Sequence, residues 1–329
     1  MAATAVAVIC TGVYLSLRPV AGGAAARRSQ QVAALTSPGP ARTPAAVKIG
    51  VMRTYRVALV RYNWIRPTKH LGKRALHVTV RYPVISDHAR YRGGSRGLLP
   101  LIVFAPGYRH CAAVYSDLLR QWSSAGYVVA AVDFSRTSCK AAVPHEADLR
   151  HEPADLAFVI GRLLARSAAA GGRLAGLIAA SEVAVAGHSD GGDAAAALAA
   201  AACCRDERVR AAVILSGAQW PAFTGHWFAG PAPPLLVIQG TADAWNPPAD
   251  SVRLYRADTT GPRYYLELPG ADHFAPYQGN HPPEPIVARV TIDFLDRYLL
   301  GQQGKSAVMR RAGTVAGKAK LSRAGKLPA

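Results

Sequence analysis

The chain has 329 residues, half of them hydrophobic, and a formal net charge of +19; this length can bury a sizeable core and this composition excludes wholesale disorder. The charge sits at the ends: residues 1–86 hold thirteen Lys/Arg and no acid, 301–329 hold seven and no acid, and 87–300 is nearly neutral. Neither zinc-finger spacing, an RNP-like aromatic pattern nor a basic heptad region accompanies the basic ends, so no nucleic-acid partner is expected, and weak contact with an anionic surface is what they leave open.

Residues 1–17 are apolar, and Arg18-Pro19 and a run of small residues follow. This pattern resembles the hydrophobic and cleavage zones of a secretory signal, although a basic n-region is missing and the run is marginal for a membrane span. Residues 1–26 are therefore read as an apolar leader or anchor of a secreted or envelope-associated protein, with a cytoplasmic chain as the alternative. Residues 27–47, rich in Ala, Ser, Pro and Arg, read as a linker, 48–300 as one folded domain, and 301–329 as a basic C-terminal tail. The five cysteines are too sparse for a disulfide scaffold and lack metal-site spacing, so neither metal nor cofactor is expected.

From residue 51 the chain reads as strands at 51–62 and 75–82, joined closely enough to be antiparallel. A glycine- and arginine-rich loop at 90–97 follows. The rhythm then becomes strand, loop, helix: strands at 101–104, 127–132, 183–187, 209–215, 235–238 and 264–268, and helices near 114–124, 155–168, after residue 189, and at 286–300. The class is α/β, with a mostly parallel eight-stranded sheet carrying helices on both faces.

The informative stretch is Val183-Ala184-Val185-Ala186-Gly187-His188-Ser189-Asp190-Gly191-Gly192. An apolar strand runs directly into Gly-x-Ser-x-Gly and then into an alanine-rich helix former, the setting in which this motif exposes a serine on a sharp turn. Gly187 and Gly191 let strand and helix approach, and the helix aims its first amides at the reaction centre. Ser189 needs a histidine base, and the base an orienting carboxylate, both on loops beyond later strand ends. Asp243, after strand 235–238, and His273, after strand 264–268, occupy those places. Asp272 adjoins His273 and cannot readily curl back to it. Asp133 reads as a local cap, and His188 as packing beside the elbow. The pairs His145-Glu146 and His151-Glu152 lack zinc-protease spacing.

With Ser189, Asp243 and His273 in that order, the chain resembles the α/β-hydrolase superfamily from about residue 50 onward. Gly187-His188-Ser189-Asp190-Gly191-Gly192, Gln239-Gly240-Thr241-Ala242-Asp243 and Gly270-Ala271-Asp272-His273-Phe274 carry the resemblance. Within the superfamily the chain looks most like the bacterial branch of dienelactone-hydrolase-like, platelet-activating-factor-acetylhydrolase-like and polyester-degrading enzymes. There, Phe104-Ala105-Pro106-Gly107-Tyr108 matches the oxyanion loop. The resemblance implies an oxyanion hole from the main-chain N–H groups of Tyr108 and Asp190, and substrate contacts from the rings of Tyr108 and Trp220. It leaves a disulfide between Cys111 and Cys139 open, with Cys203 and Cys204 expected as small buried apolar side chains. Asp190 departs from the family pattern and sets a carboxylate beside the site.

Residues 216–234 are too few for a large helical lid, so an open site is expected. The implied activity is a serine ester hydrolase, carboxylesterase- or lipase-like, acting on small or polymeric esters. A peptidase or acyltransferase using the same residues, and a non-catalytic envelope-binding protein, are the alternatives.

Overall fold

The structure is a computed structural model that describes residues 54–85, 97–279 and 281–324. The leader at 1–26, the linker at 27–47 and nearly all of the 90–97 loop lie outside the described residues. The chain divides into units 1–50 and 51–329, and every described residue belongs to the second.

Ten strands form one mixed sheet. β1 (Val57–Pro67) and β2 (Lys73–Pro83) make an antiparallel hairpin whose second strand pairs antiparallel with β4 (Val128–Phe134). β3 (Leu99–Ala105), β5 (Ile178–His188), β6 (Val209–Leu215), β7 (Leu235–Gly240) and β8 (Arg263–Leu268) continue the sheet, and β4-β3-β5-β6-β7-β8 are all parallel. Their sequences run apolar without alternation because helices cover both faces. In β3, Leu101, Val103 and Ala105 enter one core layer, while Ile102 and Phe104 enter the other.

The first layer packs under α2 (Glu152–Ala168), α3 (Asp190–Ala200) and α4 (Pro248–Ala257), and the second under α1 (Ser116–Ser124), α5 (Glu284–Tyr298) and α6 (Lys305–Ala312). α3 is mostly glycine and alanine and is buried from Gly191 to Ala200, which lets it lie close against the sheet. α4 is absent from the sequence reading because Pro247-Pro248 looks like a loop; proline in a helix's first turn lacks only an N–H that would be unpaired anyway. Beneath the hairpin, buried Arg74 bonds both Asp148 and Asp155 at 2.6 Å, and Arg66 reaches Asp155 at 2.6 Å, fastening β1 and β2 to α2.

The eight expected strands are all present, but the sheet has ten. The stretch expected as a basic tail forms α6, β9 (Thr314–Val315) and β10 (Ala319–Ala324), with β10 antiparallel to β8. Met309 and Ala319 are buried in the second core layer, and Lys305 holds Asp293 at 3.0 Å and Asp296 at 2.6 Å on α5. Two anchors of apolar area and three-way ion pairing thus override a composition that reads as solvated charge. Residues 216–234 carry turns and bends with no helix.

Candidate active site

The sharp turn is built from close contact. A Cβ on Gly187 would overlap the carbonyl of Gly191, and one on Gly191 would overlap the carbonyls of Ala105 and Pro106. The elbow strand and α3 can therefore meet only through glycines. Between them Ser189 adopts φ 55° and ψ −127°, a strained geometry for a side-chain-bearing residue, with its N–H donating to Leu215 O at 2.9 Å. It is half-buried and stands as the N-cap of α3.

The loops after β7 and β8 are sewn together before any side chain acts. Ala242 N–H donates to Ala271 O at 3.0 Å, and a Cβ on Gly240 would overlap that same carbonyl. Across this seam His273 Nδ1 donates to Asp243 Oδ2 at 2.7 Å, with the imidazole only 3% exposed. Asp243 also accepts from the N–H groups of Trp245 and Asn246, each at 2.9 Å, and from Gln239 Nε2 at 2.8 Å. Burial alone would raise its pKa; the hydrogen bond with His273, those from Asn246 and Gln239, and the charge on His273 outweigh burial and hold the carboxyl at about 2. Asp272 is engaged elsewhere, accepting from the N–H groups of Phe274 and Ala275 at 2.8 and 2.7 Å.

Opposite Ser189 lies the loop after β3. Gly107 N–H donates to Tyr115 Oη at 3.2 Å, Arg109 N–H to Thr137 O at 2.6 Å and His110 N–H to Gly107 O at 3.0 Å. Among the described residues, the Tyr108 N–H has no hydrogen-bond acceptor, and the Asp190 N–H at the start of α3 has none from another residue. Cys111 and Cys139 are joined by a disulfide that closes the base of this loop, and Asp133 Oδ1 accepts from Ala112 N–H at 2.7 Å beside it.

His188 is fully buried and more than packing. Its Nε2 donates to the main-chain oxygen of His273 at 2.9 Å, which fixes the tautomer and leaves Nδ1 to accept from the Tyr115 hydroxyl at 2.8 Å. Burial, then the charge of His273, pushes its pKa well below the ordinary histidine value, so the ring stays neutral.

The Asp190 carboxyl lies in an acidic, desolvated place. Oδ2 is buried without a partner among the described residues. Burial first, with the charge of Glu146 adding, pushes the pKa up to about 6 against the pull of His273 and its own N–H. Trp245, absent from the sequence reading, is 72% exposed, with its ring 6.4 Å from that of His273 and 5.9 Å from that of Phe274. Its signal was present: an aromatic two residues beyond the carboxylate on the same loop. Trp220, by contrast, is half-buried and packs on Phe223 at 5.4 Å. Cys203 and Cys204 are joined to each other, with Cys203 exposed, so the expectation of two buried thiols fails. They follow the last turn of α3, where Ala201 is still buried and Cys204 packs on the edge of the first core layer.

A mostly parallel sheet flanked by helices, with a strand–serine–helix turn and a carboxylate–histidine pair on loops beyond the same strand ends, has the form of an α/β-hydrolase. A family model described as PET hydrolase-like (PETase) matches residues 87–310, and the chain belongs to that family. No curated protein sequence matches it. Family membership makes the chain a hydrolase acting on esters.

Proposed function

We propose that the chain is a serine ester hydrolase, carboxylesterase- or lipase-like, that cleaves carboxylic esters through an acyl-enzyme on Ser189. The observation carrying this reading is the His273–Asp243 hydrogen bond at 2.7 Å beside a serine held at φ 55° on a strand-to-helix turn. His273 Nε2 takes the hydroxyl proton as Ser189 Oγ bonds to the ester carbon, and Asp243 stabilises the imidazolium. The oxyanion is met by the N–H groups of Tyr108 and Asp190, the donors left without another residue as acceptor. Collapse expels the alcohol, which receives the proton from His273; water activated by His273 then attacks the acyl carbon and frees the acid and Ser189.

The absence of a helix over 216–234 and the exposed Trp245 beside His273 suit a bulky or polymeric ester with aromatic rings laid across an open cleft. Two disulfides fit an oxidising compartment, which favours a secreted or envelope-associated protein over a cytoplasmic one. The discriminating experiment compares p-nitrophenyl esters of rising acyl length and a soluble terephthalate diester with a matched p-nitroanilide, using wild type and Ser189→Ala. Ester turnover that vanishes in Ser189→Ala supports the reading. Turnover confined to the anilide would make the chain a peptidase instead, and none at all would leave a binding protein.

A further inference from the structure

The site contains a buried chain of polar side chains that takes no part in the proton transfers of the ester hydrolysis. Gly107 N–H donates to Tyr115 Oη at 3.2 Å, the Tyr115 hydroxyl donates to His188 Nδ1 at 2.8 Å, and His188 Nε2–H donates to His273 O at 2.9 Å. The directions agree along the chain: the tyrosine oxygen accepts from Gly107 and donates to His188, with the Gln278 side chain also against that hydroxyl, and the imidazole accepts one bond and gives one. Both rings are fully buried, so each bond is made out of water, where an unmade partner costs most.

The placement of the ends gives the chain its meaning. One end is the loop whose next N–H, that of Tyr108, has no acceptor among the described residues; the other is the main chain of the base. The middle residue is bonded covalently to Ser189. Resting on the ester hydrolase reading, we propose that Tyr115 and His188 are positioning residues whose relay sets the oxyanion loop, the nucleophile and the base in register with one another.

Three consequences make this physical. Pinning the Gly107 N–H on Tyr115 occupies that donor, so among the amides of Gly107 to His110 only that of Tyr108 is left without an acceptor among the described residues. A Cβ on Gly107 would stand 3.2 Å from Ser189 Cβ and 3.3 Å from His188 Nδ1, so a shift of this loop is felt at once by the serine. Holding His273 O fixes the backbone of the base, while Asp243 fixes only its ring. A misplacement of about 1 Å among such groups costs on the order of a hundredfold in rate, even when binding persists.

The test uses full-length protein and a short p-nitrophenyl ester, with thermal midpoints recorded for every variant. Tyr115→Phe keeps the ring and deletes the hydroxyl with its bonds to Gly107 and His188; kcat is expected to fall about tenfold with KM within about threefold. His188→Leu should lose about ten- to a hundredfold. His188→Gln, whose amide carries one acceptor and one donor at its tip, should recover part of the loss. The double variant Tyr115→Phe/His188→Leu should be about as slow as His188→Leu alone, because the two residues act through one chain. Folded Tyr115→Phe and His188→Gln variants with kcat within about twofold of wild type, a fully additive double variant, or a loss that appears in KM alone would each overturn the relay. If His188→Leu does not fold, Tyr115→Phe and His188→Gln decide the matter. A wild-type protein with no Ser189-dependent turnover would overturn the esterase reading and the relay together, whereas turnover indifferent to these variants overturns the relay only.

Discussion

His273 and Asp243 meet at 2.7 Å from loops thirty residues apart in sequence, with Nδ1 of the imidazole as donor. This contact engages Nδ1 and leaves Nε2 as the nitrogen not held by the carboxylate. Because the carboxylate fixes the tautomer, Asp243→Asn should reduce kcat/KM for a p-nitrophenyl ester by roughly a thousandfold or more. Asp272→Asn, which touches only the turn N–H groups of Phe274 and Ala275, should cost less than about tenfold. The ratio of the two losses is the readout, and equal losses would contradict the assignment.

Asp190 gives a stability prediction with a definite sign. Its carboxyl has a pKa near 6 in the folded protein against 3.8 unperturbed, so folding disfavours the ionised form. The stability it contributes is complete below about pH 4 and is lost as pH rises through about 6. Asp190→Asn removes that loss and should raise the thermal midpoint at about pH 8, by up to the equivalent of about 3 kcal/mol. The gain should shrink on acidification to about pH 4. A pH-independent difference in midpoint would show that the carboxyl is not desolvated as described.

Trp245 is predicted to act through binding. An exposed indole beside His273 contributes area and a stacking face, so Trp245→Ala should raise KM for an aromatic diester about five- to tenfold, with kcat altered less. An aliphatic ester of similar size should be affected less. The same loss for both substrates would place the effect in the loop rather than in the ring.

Much of this architecture was legible in the chain because it is locally encoded. Apolar runs bounded by turn residues mark the eight strands, and the strand–Gly-x-Ser-x-Gly–helix pattern marks the elbow, since only glycines fit where Gly187 and Gly191 touch carbonyls. Asp243 and His273 follow from their positions just beyond strand ends. What was not legible depends on distant partners. The Tyr115–His188 and His188–His273 bonds span 73 and 85 residues, and no spacing rule reaches that far, so His188 reads as mere packing. β9 and β10 lie in a stretch with the charge of a tail, and pairing makes strands of them: β10 runs along β8, with Lys320 opposite Glu267 and Ser322 opposite Tyr265, and β9 along β10. Cys203-Cys204 reads as two small apolar residues, because burial and bonding are set by where α3 ends.

The central claim is that Ser189 is the nucleophile of an ester hydrolase. The most direct measurement is the intact mass of the protein after reaction with a fluorophosphonate, with the modified residue mapped by peptide digestion. The account predicts a single adduct on Ser189 that Asp243→Asn slows and Ser189→Ala abolishes, with ester turnover lost in parallel. An unmodified Ser189 in protein that still hydrolyses esters, or an adduct that persists in Ser189→Ala, would contradict it.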